Sequence, residues 1–103
     1  MNKKLAGDKI REAIQWTLSV RAMLRTQFVA EANGQILGYV HRLEQMLPLL
    51  DACPGAAENV QKLRDLLLQL TASCREHGDN VRCMDDLQYE ILPVLKRLQK
   101  LLR

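Results

Sequence analysis

The sequence predicts an all-α protein that folds as a single domain over residues 1–103. Leu supplies 19 of the 103 residues, whereas Gly supplies 5 and Pro 3, and Leu is a strong helix former because a helix restricts its rotamers little. Residues that favour strands are sparse and never alternate with polar residues over the length of a strand. A chain of this length closes one hydrophobic core, so we expect one domain.

Turn signals divide the first half of the chain into two helical segments. We expect the first, residues 7–32, to end at Asn33-Gly34, because both residue types tolerate positive φ. The second, residues 35–50, is expected to stop before Pro54, which suits the first turn of the next helix because its missing N–H is not required there.

The second half divides in the same way. A third segment, residues 55–77, is followed by Gly78 as the expected C-terminal cap, and Asp79 or Asn80 is expected to cap the fourth. Apolar residues recur in the last three segments at alternating spacings of three and four: Ile36, Val40, Leu43, Leu47 and Leu50; Val60, Leu63, Leu67, Leu70 and Cys74; Met84, Leu87, Ile91, Val94, Leu98 and Leu101.

Short connections favour antiparallel neighbours, so these segments predict an up-down four-helix bundle. The alternative is a three-helix bundle with a long first helix, in which the chain passes through Asn33-Gly34 without a break. Pro48 and Pro93 lie inside helical patterns, where each removes a hydrogen bond and crowds the carbonyl four residues earlier. We expect a kink or a restart at both prolines.

The first segment is apolar over more of its circumference than a bundle helix requires. Its apolar residues cover roughly 240° around the axis, where a core-facing helix needs little more than ~100°. They fall on two neighbouring sides: Ile10, Ile14, Leu18 and Phe28; and Ala13, Trp16, Val20, Met23 and Leu24. A second copy of the chain or a protein partner that covers the surplus apolar surface would explain the pattern. The alternative is that all these residues belong to the core of a single bundle. We expect the binding surface to centre on Trp16, Val20 and Met23, since Trp and Met are enriched at interfaces.

The three cysteines, Cys53, Cys74 and Cys83, are an odd number and no apolar signal segment precedes them, so we expect reduced thiols and a cytoplasmic location. Cys74, His77 and Cys83 meet near one turn in the predicted topology and form a candidate metal- or thiol-dependent site. Tetrahedral zinc would need Cys53 or His41 as a fourth ligand, and no common zinc spacing is present.

Other functions find less support. Two basic ends, Lys3, Lys4, Lys9 and Arg11 and then Lys96, Arg97, Lys100 and Arg103, allow weak nucleic-acid binding. A pI near 8.9 and scattered aromatic residues argue against nucleic acid as a partner. No phosphate loop, dinucleotide fingerprint or nucleophile with a base is evident, so we expect no enzyme activity and no cofactor. No run is long and apolar enough for a bilayer, so we expect no membrane partner.

We therefore expect a small helical protein–protein interaction module, acting as an adaptor, a chaperone or an assembly accessory, that forms a homodimer or binds a protein partner. The analogy is one of size and pattern with the small helical chaperones and adaptors of bacterial export systems, and it indicates no family.

Overall fold

The computed structural model describes the backbone of residues 3–24, 29–51, 53, 55–76 and 80–102. Side chains are described for the same residues except 3, 29–33, 74–76, 80 and 81.

Within that part of the chain, the backbone forms four helical rods. Three are single α-helices, and the fourth consists of two α-helices joined by a π-helical turn. The elements are α1 (Lys3–Leu24), α2 (Val29–Asp51), α3 (Ala57–Glu76), α4 (Asn80–Asp85), the π-helical turn (Asp86–Ile91) and α5 (Leu92–Leu101).

The rods form a ring in which each packs against two neighbours. α1 contacts α2 and the fourth rod, and α3 contacts the same two, so α1 and α3 lie diagonally across the bundle. The predicted all-α, four-helix bundle is confirmed. The three-helix alternative is wrong, because α1 and α2 are separate helices packed side by side.

Long apolar side chains from all four rods fill one continuous core. In α2 and α3 every described member of the predicted stripes is buried, and in the fourth rod only the two end members are not. The largest side chains that are almost completely excluded from solvent are Ile10, Ile36, Leu43, Leu50, Leu63, Leu67, Leu70, Leu87, Ile91, Leu95, Leu98 and Val60. The spacing of apolar residues by three and four positions therefore predicted the core residues of these helices correctly.

The boundary between the first two helices lies earlier than the sequence predicted. α1 ends at Leu24 and α2 begins at Val29, so Asn33 and Gly34 lie within the first two turns of α2. A Gly inside a helix costs only about 1 kcal/mol relative to Ala, which the packing of a helix of 23 residues offsets. The prediction that Asn33-Gly34 ends a helix was wrong for this reason.

The connection from α2 to α3 depends on Gly55. Its φ of +79° is the only positive φ among the described residues, and L side chains rarely adopt this conformation. The N–H of Cys53 donates to the Leu50 carbonyl at 3.0 Å, and the N–H of Val60 donates to the Ala56 carbonyl at 2.9 Å. These hydrogen bonds close α2 and open α3.

The two prolines inside the helical patterns behave differently. Before Pro93 the chain forms the π-helical turn, and the Leu92 N–H donates to the Leu87 carbonyl, five residues earlier. The α-helix then resumes with Pro93 in its first turn, so the expected restart is confirmed. At Pro48 no restart occurs, since α2 continues through it to Asp51.

Candidate functional site

An open groove runs between α1 and α2, and a stacked pair of side chains crosses it. The guanidinium carbon of Arg42 lies 5.0 Å from the centre of the Trp16 ring, within the range of a cation–π contact. Because the two helices are antiparallel, these residues stand at the same height, one on each side. We call this feature the Trp16 groove and define it by Trp16, Ser19 and Met23 of α1 with Gly38 and Arg42 of α2.

The stacked pair divides the groove into two depressions that open to solvent. Toward the C-terminal end of α1 lies one of about 200 Å³. Toward its N-terminal end lies a larger one of about 500 Å³, lined by Lys9, Glu12, Gln45, Met46 and Leu49 in addition to the pair. Trp16 borders both, so it is the central residue of the surface.

The smaller depression is bordered by a residue without a side chain, Gly38. Gly38 lies in the middle of α2, and a methyl group added there would meet no atom within 4 Å. Helix packing within the bundle therefore does not require this glycine. An Ala at this position would stabilise the helix by about 1 kcal/mol. Gly38 therefore lowers the stability of α2 and leaves the groove open at this point.

Two buried hydroxyl groups hold the helices together beneath the groove. The Thr17 hydroxyl donates to the Ala13 carbonyl at 2.7 Å, so the hydrogen bond between Thr17 and Tyr39 has the Tyr39 hydroxyl as donor. Burial raises the pKa of Tyr39 well above its usual value, and its hydrogen bond with Thr17 opposes that effect only in part. Tyr39 thus remains a protonated donor and fixes α1 against α2 at the height of Trp16.

Arg42 differs from the arginine of the neighbouring groove in its ion pairing. Between α2 and α3, a depression of about 270 Å³ is lined by Arg64 and Leu68, and Arg64 donates to both carboxylate oxygens of Asp51 at 2.6 and 3.5 Å. Arg42 forms no ion pair with any described carboxylate. Its charge is therefore available for a carboxylate from outside the chain.

The structure places the three predicted partner-binding residues on one side of α1. Trp16 and Met23 are half-buried and pack against the core, with one side of each in the groove. Val20 is 6% exposed and belongs to the core, so it supports the floor. One copy of the bundle covers most of the apolar circumference of α1, since Ile10, Ala13, Val20 and Leu24 are all buried.

The candidate metal site remains a prediction. The side chains of Cys74 and His77 lie outside the described residues, and Cys83 is buried. Cys53, a possible fourth ligand, follows α2 at the opposite end of the bundle from Cys83. Its thiol is buried and donates to the Leu49 carbonyl at 3.6 Å. Cys53 therefore cannot join Cys83 in one site.

Antiparallel packing brings the two basic segments to the same end of the bundle, because α1 begins where α5 ends. Part of this charge is already paired. Lys9 lies 3.5 Å from Glu12, and Arg11 lies 3.5 Å from Asp8. Nucleic-acid binding by these residues remains a prediction.

Composition and hydrophobic spacing gave no indication that Arg42, Gly38 and Tyr39 belong to the site. The partners of Trp16 lie on α2. Which residues of α2 lie beside Trp16 depends on where α1 ends, and the turn signal at Asn33-Gly34 predicted that end at the wrong position. A glycine repeated at Gly34 and Gly38, one turn apart on one side of α2, was the available signal. Neither meets an atom within 4 Å at an added methyl group.

No family model, no curated protein and no solved structure matches the chain in comparisons with known proteins. None of the helices in the described ranges combines the length and the apolar character that a membrane span requires.

Proposed function

We propose that the protein is a protein–protein interaction module and that the Trp16 groove is its docking surface. The single observation that carries this proposal is the stacked pair of a half-buried Trp16 and an exposed Arg42, bordered by two depressions. Trp and Arg are the residue types that most often dominate binding energy at protein interfaces.

The chemistry of the groove supports a protein partner over a small ligand. Small-molecule sites enclose most of the ligand surface, whereas both depressions open along the length of α1. Met23 and Trp16 offer apolar contact, Arg42 offers a cation that pairs with no carboxylate of the described residues, and Ser19 with Gly38 leaves room for a bulky side chain to enter. In this account the protein acts as an adaptor, a chaperone or an assembly accessory.

Site-specific photo-cross-linking tests the proposal directly. A benzophenone amino acid replaces Ser19, which lines the groove. In a matched control it replaces Gln69, which is exposed on α3, diagonally opposite α1. Irradiation of the cells from which the sequence comes is expected to give a discrete adduct from position 19 and none from position 69. If position 19 yields no adduct, or both positions yield the same one, the groove is not a docking surface.

The metal- or thiol-dependent site is the second hypothesis retained from the sequence, and it predicts a different result. Bound metal in the purified protein that is lost with Cys83→Ser would support it, and metal-free protein would contradict it.

A further inference from the structure

We infer that the occupant of the Trp16 groove is a second copy of this chain, bound in an antiparallel arrangement about a two-fold axis. This inference rests on the proposed function and identifies the partner of the same site. It depends on the positions of four residues along α1 and on the charge of Arg42.

One stripe of α1 carries the complementary groups. Lys9, Glu12, Trp16 and Met23 line the two depressions, and Leu5 lies one helical turn before Lys9 in the same stripe. Leu5 stays 40% exposed although it is apolar. At the other end of the stripe, Met23 borders the depression that Gly38 leaves open.

One two-fold axis brings both the apolar residues and the charged residues of the stripe opposite complementary residues of the second copy. Position 14 lies midway between positions 5 and 23, and it also lies midway between positions 12 and 16. A two-fold axis crossing α1 at this height places Leu5 of the second copy against Met23. The same axis places Glu12 of the second copy against Trp16, and hence beside Arg42.

The remaining charges of the stripe are compatible with this packing. Lys9 comes to lie opposite Ser19 of the second copy, so no like charges face each other between residues 4 and 24 of the two α1 helices. The ion pair of Lys9 with Glu12 is long at 3.5 Å, and its side chains are 41% and 50% exposed. Such exposed ion pairs contribute little free energy. Glu12 can therefore leave Lys9 and pair with Arg42 of the second copy at little cost in stability.

The available area is that of a stable dimer. The bundle is about 20 Å wide. Because α1, with 22 residues, is ~33 Å long at 1.5 Å per residue, the face formed by α1 and α2 offers ~650 Å² per copy, near the ~800 Å² that each partner contributes to a standard interface. The interface is isologous, because each copy presents the same leucine, carboxylate and groove to the other.

Sedimentation velocity of the full chain over a wide concentration range tests the arrangement. We expect the wild type to be in monomer–dimer equilibrium. Arg42→Glu and Glu12→Arg should each raise the dissociation constant about tenfold, because each places like charges opposite one another twice per dimer. An equimolar mixture of the two variants should restore wild-type affinity, because both charge pairs become complementary again. Arg97→Glu makes the same change on the exposed surface of α5 and should have no effect.

Leucine variants provide a second test that leaves the charges intact. Leu5 and Leu18 are both 40% exposed on α1, but Leu18 is two residues from Trp16 and so lies on the other side of the helix. Leu5→Ala should weaken self-association several-fold and Leu18→Ala should not. A chain that is monomeric at all concentrations, or a mixture of charge variants that stays dissociated, overturns the inference. An adduct from position 19 with a different protein would then leave the proposed function standing.

Discussion

Arg42 lies over the face of Trp16 at the height at which a buried hydrogen bond between Thr17 and Tyr39 joins α1 and α2. Their distance of 5.0 Å joins the two helices at the surface, while Thr17 and Tyr39 join them in the interior. The side chains on which the proposed docking depends are therefore held in place before a partner arrives. Such preorganisation lowers the entropy that binding must overcome.

Removing either partner of the hydrogen bond between Tyr39 and Thr17 should lower the free energy of unfolding, but by different amounts. Thr17→Val leaves the buried Tyr39 hydroxyl without its acceptor and should cost about 2 kcal/mol, whereas Tyr39→Phe removes the donor and should cost about 1 kcal/mol. Urea denaturation of both variants and of the double variant measures the coupling. Costs that simply add would show that the two hydroxyls do not interact.

Core and surface leucines should differ sharply under the same truncation. Leu43 is fully buried between the helices, and Leu68 is 67% exposed on α3. Leu43→Ala should lower the free energy of unfolding by about 2–5 kcal/mol, and Leu68→Ala should change it by less than about 0.5 kcal/mol. Equal effects in chemical denaturation would contradict the assignment of the core.

Two glycines should respond in opposite directions to the same added methyl group. Gly38→Ala meets no atom within 4 Å and should stabilise the monomer by about 1 kcal/mol through helix propensity. Gly55→Ala should destabilise it by about 1 kcal/mol, because φ is +79° there. Thermal melts at a concentration where the chain is monomeric separate this effect from association.

Asp86 predicts a pH dependence of stability. Burial raises the pKa of Asp86 above its usual value, Arg82 lowers it, and Glu90 and Asp85 raise it further. Because the folded state holds this proton more tightly than the unfolded state, the contribution of Asp86 to stability falls as pH rises from just below the unfolded pKa to above the folded one, and is then constant.

Asp86→Asn removes this dependence. The variant should be more stable than the wild type near neutral pH, and the difference should disappear below about pH 4, where both states of the wild type are protonated. Urea midpoints on both sides of that pH measure it. A variant that is less stable near neutral pH would show that the Asp86 charge favours the folded state.

Hydrophobic spacing predicted most of the fold, because burial of one side of each helix is a local property of the sequence. The stripe from Ile36 to Leu50 is buried at every member. The restart expected from the missing N–H of proline occurs at Pro93 but not at Pro48, so the residue type alone did not decide where a helix is interrupted. The end of α1 was not predictable, because tertiary packing overrode the turn preference of Asn33-Gly34.

The candidate site was predictable only in part. Trp16 and Met23 stood out as excess apolar residues on α1, and the structure places both in the groove. Their exposure could not be deduced, because it depends on how far α2 and the fourth rod wrap around α1. The pairing of Trp16 with Arg42 required the register between two helices, which no local pattern encodes.

Trp16 is the only tryptophan in the chain, so its fluorescence reports on the groove alone. Acrylamide quenching of this residue, measured from dilute to concentrated protein, tests the central claim that a second copy covers it. We expect the quenching constant to fall several-fold as the dimer forms, and in Arg42→Glu to fall only at about tenfold higher protein concentration, in line with the weaker dimer. A quenching constant that is independent of concentration while sedimentation shows dimers would place the interface elsewhere and contradict the account.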